Sequence, residues 1–258
     1  MTATLPAPWR ALRSGELNTP VLLDRLQLSL RRSDDECWLD YRFFKGAGTE
    51  PVPTPFIPET SVRFLLKEKG LDRNATPLTL EPQLADRAVV SRPLVSTELP
   101  PHHSTTLLIS TPLWVRLRSG ASQLAELPTT RLSDTWFGPN TRHGELCYAA
   151  QTRARLRLEN APESPFRALT PVTITNSGDD NLKLDRINVP VTHLSLYCDE
   201  QRFWTSAITL TRERNLINAQ VQIDAQAPAL CRDARKVAEP RRPVRGGVLE
   251  RAADLLFA

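Results

Sequence analysis

Apolar residues recur at every second position in short runs along this chain, and that period belongs to β-strand. The runs are LQLSL from Leu26, LWVRLR from Leu113, TRARLRL from Thr152, LKLDRI from Leu182 and VQIDA from Val221. Successive side chains of a strand point to opposite faces, so such a run is a strand with one face buried. The chain carries 22 prolines. Proline cannot donate to a sheet ladder, so the strands must be short and often interrupted. With 258 residues, 40% of them hydrophobic, the chain can bury one large or two modest β cores. The expected fold is all-β: two antiparallel β-sandwich-like domains, then a short C-terminal amphipathic helix.

The first domain is expected over residues 1–103. Leu22–Leu30 and Cys37–Phe44 read as a hairpin, Glu50–Glu59 as a proline-stiffened connection, and Ser61–Lys67 as a further strand. Ser91–His103, with Pro100-Pro101, is the expected boundary. The second domain is expected over residues 104–225. Within it, Gln151–Leu158 reads as the clearest strand of the chain. Ala154, Leu156 and Leu158 would share one face, and Arg153, Arg155 and Arg157 the other, a strip roughly 13 Å long. Asn176–Asn181 reads as a turn. Residues 226–258 read as a basic, proline-bearing linker, a Gly246-Gly247 hinge and a helix over Val248–Ala258.

The formal net charge is only +4 and aromatic residues make up 6%. No aromatics interleave with the arginines as a stacking platform would need, so nucleic acid is not an expected partner. No targeting segment and no stretch of roughly 20 apolar residues is visible, which points to a cytoplasmic protein. Cys37, Cys147, Cys198 and Cys231 form no C-x-x-C pair. Cys147 and Cys198 have immunoglobulin-like spacing but no tryptophan between them. Reduced, mostly buried thiols are expected. No nucleotide-binding glycine motif or nucleophile elbow is present.

The densest polar segment is Leu132–Tyr148, LSDTWFGPNTRHGELCY. If it continues as a strand, His143, Glu145 and Cys147 share a face. They could then ligate zinc or arm Cys147 as a thiolate for a hydrolase. The segment shows neither a fourth ligand nor an oxyanion device, so the expectation is a strand exterior, with Leu146 and Tyr148 supplying the core. Asp134, Trp136, Phe137 and His143 could instead line a ligand pocket, as in a sensor. His102-His103 and His193 read as surface residues. No metal, cofactor or catalytic residue is expected.

Two stretches carry a family resemblance: Arg131–Tyr148, with its Trp-Phe-Gly-Pro and Gly-Glu-Leu-Cys-Tyr layout, and Val172–Tyr197. The second places an asparagine after a strand, followed by Leu-x-Leu-x-x-Ile-x-Val-Pro and Leu-x-Leu-Tyr. Together they resemble domain of unknown function four-thirty-two, a prokaryotic family, over roughly Thr105–Leu210. The resemblance defines no catalytic residues. It implies an association with small-conductance-type mechanosensitive channels.

The expected function is therefore a non-enzymatic accessory or regulatory subunit that binds another protein. It would be cytoplasmic, or held at the inner membrane through its partner. A lone eleven-residue helix is marginal in water, so Val248, Leu249, Leu255, Leu256 and Phe257 are expected to dock on a partner. Arg241, Arg242 and Arg245 would add attraction to an acidic surface or anionic lipid. A ligand sensor and a metal- or thiol-dependent hydrolase are the alternatives.

Overall fold

The computed structural model describes residues 5–12, 16–33, 36–44, 55–66, 77–93, 95–150, 154–199, 201–213, 218–252 and 257. The strands, in chain order, begin with β1 Val21–Leu23, β2 Leu26–Ser33, β3 Glu36–Phe43, β4 Thr60–Leu65, β5 Leu78–Gln83, β6 Val89–Ser91 and β7 Thr97–Leu99. They continue with β8 Ser104–Pro112, β9 Trp114–Ser119, β10 Ser122–Pro128, β11 Ser133–Phe137, β12 Glu145–Ala149, β13 Arg167–Asn176 and β14 Leu182–Leu184. The last are β15 Ile187–Val189, β16 Leu196–Cys198, β17 Phe203–Thr205, β18 Ile208–Arg212, β19 Asn218–Ile223, β20 Arg235–Ala238 and β21 Val248–Ala252. The fold is all-β, as the alternation predicts. Among the described residues the helical turns are single 3-10 turns, and no helix is long and apolar enough to cross a membrane.

The chain forms two compact units, but not with the expected boundary at 103/104. Residues 1–83 and 113–131 make the first, and residues 84–112 and 132–258 the second. The sequence crosses between units more than once because β9 completes a sheet with β5 rather than following β8 into its own. Pairing between strands distant in sequence leaves no local trace, so a linear scan finds one linker where the chain makes several passages.

In the first unit, β1-β2-β3-β4 form one antiparallel sheet and β10-β9-β5 another. Leu26, Leu28 and Leu30 are buried as the alternation requires, and so are the intervening Gln27 and Ser29. Gln27 accepts a hydrogen bond from Arg42 Nε at 2.9 Å, which satisfies a polar group in a covered position.

In the second unit, β13 is the central strand. One edge pairs antiparallel with β8 along nine residues, and the other pairs parallel with β17 and then β18. The parallel steps, which also include β12 with β6, are a departure from a purely antiparallel expectation. Leu169, Tyr197, Trp204, Ala161 and Cys231 form a buried cluster on this framework. The Asn176–Asn181 turn is present. Fully buried Asn176 organises it, donating through Nδ2 to Leu99 O and Asp180 O at 3.0 and 2.8 Å and accepting from Gly178 N.

Two further expectations fail. Gln151–Leu158 is not a continuous strand. Residues 151–153 lie outside the described residues, Ala154 and Arg155 make isolated bridges, and Leu158–Asn160 is a 3-10 turn. Arg155 exchanges backbone hydrogen bonds with Leu108 at 2.7 and 3.0 Å, and beyond it no described bridge or strand continues the pairing with β8. Period-two patterning permits a strand, but a ladder partner must exist at each step to make one.

The C-terminal helix is absent over residues 248–252. These form β21, which pairs antiparallel with β19 from Val248↔Gln222 to Ala252↔Asn218. An open strand edge on β19 satisfies the backbone groups that an isolated short helix would leave to water. Gly246-Gly247 is a tight turn into β21, with φ of 72° and 69°. A Cβ at Gly247 would sit 2.8 Å from Ile223 O, so the close approach requires glycine.

Candidate functional site

Strands β11 and β12 form a hairpin in full register, from Ser133↔Ala149 to Phe137↔Glu145. The pleat divides its side chains. Phe137 and Cys147 point inward and are fully buried, clustering with Ala88 and Val90. Trp136 and Leu146, directly opposite each other in the register, point outward at 43% and 47% exposure. The expected assignment is thus reversed: Cys147 belongs to the core face and Leu146 to the exterior.

The loop that joins the strands is held by its own polar groups. Asn140 Oδ1 accepts from the backbone N–H groups of Arg142 and His143, each at 2.9 Å, and lies 3.2 Å from His143 Nδ1. Trp136 Nε1 donates to Asn140 O at 2.9 Å, laying the indole over the loop. Gly144 makes room for it, since a Cβ there would come within 2.6 Å of the indole. Gly138 is required because a Cβ would overlap the His143 carbonyl.

The flanking charges are also engaged. Asn188 Nδ2 donates to Glu145 Oε1 at 2.6 Å. Arg87 pairs with Asp134 at 3.2 Å and lies 5.2 Å over the Tyr148 ring, and Tyr148 donates to Asp86 Oδ1 at 3.0 Å. Burial, with the Asp86 bond, pushes the Tyr148 hydroxyl up to about 12. Arg186 donates to Trp136 O at 2.9 Å and sits 4.7 Å over Phe137.

The geometry separates the residues that the sequence grouped. His143 lies in the loop and not on β12, so it does not share a strand face with Cys147. The physical reason is the Asn140-capped loop, which delays the start of β12 to Glu145. Among the described residues, no three histidine, cysteine or carboxylate side chains gather as a metal set. The four cysteines are buried and none is joined in a disulfide. Burial pushes Cys37 and Cys198 up to about 11 and Cys231 to about 12. His103 Nδ1 lies 2.8 Å from Pro101 O, and His193 Nδ1 2.6 Å from Arg242 O.

The expected tail site is largely tied to its own unit. Phe257 is buried and bridges Ile187 of β15. Arg241 donates from Nε and Nη2 to Leu84 O at 2.9 and 2.6 Å, and the Arg242 N–H donates to Thr192 O. The supposed linker is therefore docked chain, with β20 paired to β16. Val248 stays exposed at 41%. Arg245 begins the turn before β21, Leu249 lies within β21, and Leu255 and Leu256 fall outside the described residues.

Sequence reasoning did not single out a cavity in the second unit. A cavity of about 520 Å3, open to solvent, is lined by Pro93, Val95, Leu107, Leu156 and Leu184 together with Arg155, Arg157 and Asn160. A second hollow of about 730 Å3 shares Leu156, Arg157 and Asn160 and adds Leu158 and Leu230. The one available signal was the arginine alternation at 153–157.

A family model described as Protein of unknown function (DUF432) matches residues 9–257. The chain belongs to the DUF432 family. Membership spans both units, not only the 105–210 stretch that carries the sequence resemblance. No curated protein and no solved structure matches this DUF432 chain.

Proposed function

We propose that this DUF432 protein is a non-enzymatic subunit that binds another protein through the outward face of the β11–β12 hairpin. One observation carries this reading. Polar groups of the hairpin such as Asn140 and Glu145 hold its own backbone and neighbours, and its outward face exposes an apolar pair, Trp136 directly opposite Leu146, beside Asp134 and Tyr148. A large aromatic held to its loop by Asn140, with Asp134 on the same strand face, is the composition of an interface anchor. The complementary occupant is a folded protein surface with an apolar recess for the indole. The family resemblance supplies the candidate, a small-conductance-type mechanosensitive channel.

The test is binding of the full chain to that channel, purified in lipid nanodiscs, measured by biolayer interferometry. Saturable binding that Trp136→Ala weakens by at least about tenfold is the expected result, as for a central aromatic anchor. Absence of saturable binding rejects the channel as partner. Binding untouched by Trp136→Ala and Leu146→Ser rejects the hairpin face.

A further inference from the structure

The cavity beside β8 differs chemically from the hairpin. Residues 154–157 and 160 of the strap 154–160 line it. At its start, Ala154 N–H donates to Arg92 O at 2.8 Å, and Arg155 is bonded to Leu108 of β8 through both backbone groups. Beyond Arg155 the chain turns into the 3-10 turn Leu158–Asn160, leaving Leu156 at 71% exposure. Val95, 70% exposed, also lines the cavity, with buried Leu107 and Leu184 among the walls. These walls are aliphatic, and no aromatic plane lies among the described residues that line the cavity.

The polar side carries one sign. Arg155 and Arg157 line the cavity with Asn160, Thr97 and Thr105, and none of the described lining residues is acidic. Arg155 Nε is shielded from solvent and has no hydrogen-bond partner. A buried donor without a partner is costly, and such a group is a reason to look for an unseen acceptor. Cross-strand carboxylates would balance arginines that share one sheet face. Neither Arg155 nor Arg157 makes an ion pair with any described residue.

We infer that this cavity binds an aliphatic carboxylate, a single hydrocarbon chain ending in an anionic head. The chain lies between Val95, Leu107, Leu156 and Leu184, and the carboxylate meets Arg155 and Arg157. The volume falls in the range of small-ligand sites, roughly 300–1,000 Å3. The planar guanidinium fork matches a carboxylate in a way that a lysine would not. Aliphatic walls without a stacking surface favour an alkyl chain over a nucleobase or an aromatic acid. This site is separate from the hairpin face, so the two proposals stand or fall independently.

The test uses the full chain, with sodium decanoate as the probe and decan-1-ol as its uncharged counterpart, by isothermal titration calorimetry. The expected result is saturable one-to-one binding of decanoate, weakened about tenfold or more in Arg155→Ala/Arg157→Ala, as for loss of a charge-assisted pair. Decanol binding should be the same in both proteins. A second measurement fixes the location. Leu156→Cys introduces an exposed thiol into a chain whose four cysteines are buried, and decanoate should slow its labelling by a maleimide. No saturable decanoate binding below about 1 mM overturns the inference. So does binding that the arginine substitutions leave unchanged, or labelling that decanoate does not protect. If Arg155→Ala unfolds the chain, Arg157→Ala alone carries the comparison, since that side chain is exposed.

Discussion

The β11–β12 hairpin and the strap at 154–160 are close in sequence and opposite in construction. In the hairpin Asn140, Trp136, Asp134, Glu145 and Tyr148 have defined partners, and an apolar pair is held outward on the paired strands. In the strap the backbone is fastened to neighbouring chain at Ala154 and Arg155, while Nε of Arg155, a residue that lines an aliphatic cavity, is buried without a partner. The first arrangement suits contact with a preformed surface, because the frame loses little freedom on binding. The second suits a ligand that supplies the missing acceptor. The contrast teaches that dense polar sequence need not be chemistry: in the hairpin segment Asn140, Trp136 and Glu145 hold the loop and its neighbours.

The largest effect expected is at the hairpin floor. Phe137→Ala removes a fully buried ring beside Ala88, Val90 and Cys147, and should cost about 3–5 kcal/mol in urea unfolding. A cost under about 1 kcal/mol would mean that the hairpin is not anchored through this face. Gly144→Ala comes next. It forces the indole off the loop and should destabilise by about 1–3 kcal/mol, with a change in tryptophan fluorescence. Asn140→Ala removes the acceptor of two backbone N–H groups, at about 1–2 kcal/mol. The strap should respond least. Leu156→Ala, at a side chain that is largely exposed, should stay within about 0.5 kcal/mol. A larger loss would show that the strap is as fully packed as the hairpin and would erase the contrast.

The thiols give a pH test common to both units. Burial raises Cys37 from 9.0 to about 11, so the folded state holds its proton where the unfolded state releases it. That contribution to stability is fully present below pH 9 and is lost as pH rises towards about 11. Urea midpoints should fall across that window, and Cys37→Ala should flatten the fall. An unchanged slope in that variant would contradict the burial of this thiol.

Much of the fold was legible in particular runs. The alternation at Leu26–Leu30 and Leu113–Arg118 marks β2 and β9, and the Asn176–Asn181 cluster marks a turn that Asn176 builds. The candidate sites were less legible. Phe137, Cys147 and Trp136 lie in the segment that the sequence singled out, but it could not say that Cys147 faces inward and Leu146 outward. Neither the cavity nor the role of Leu156 was visible, because the cavity walls come from residues as far apart as Pro93 and Leu184.

From its sequence alone this chain is determined to be a β protein with short strands and the layout of one family. Those properties are set by residue type and by spacings of a few positions, and local physics reads them directly. Only tertiary structure decided which face of a strand is covered, where the units divide and what the last residues become. Residues 248–252 have a helix-like apolar spacing, yet they form a strand because β19 offers an unpaired edge. Backbone groups must find partners, and the availability of a partner distant in the chain outweighs the small differences in local propensity.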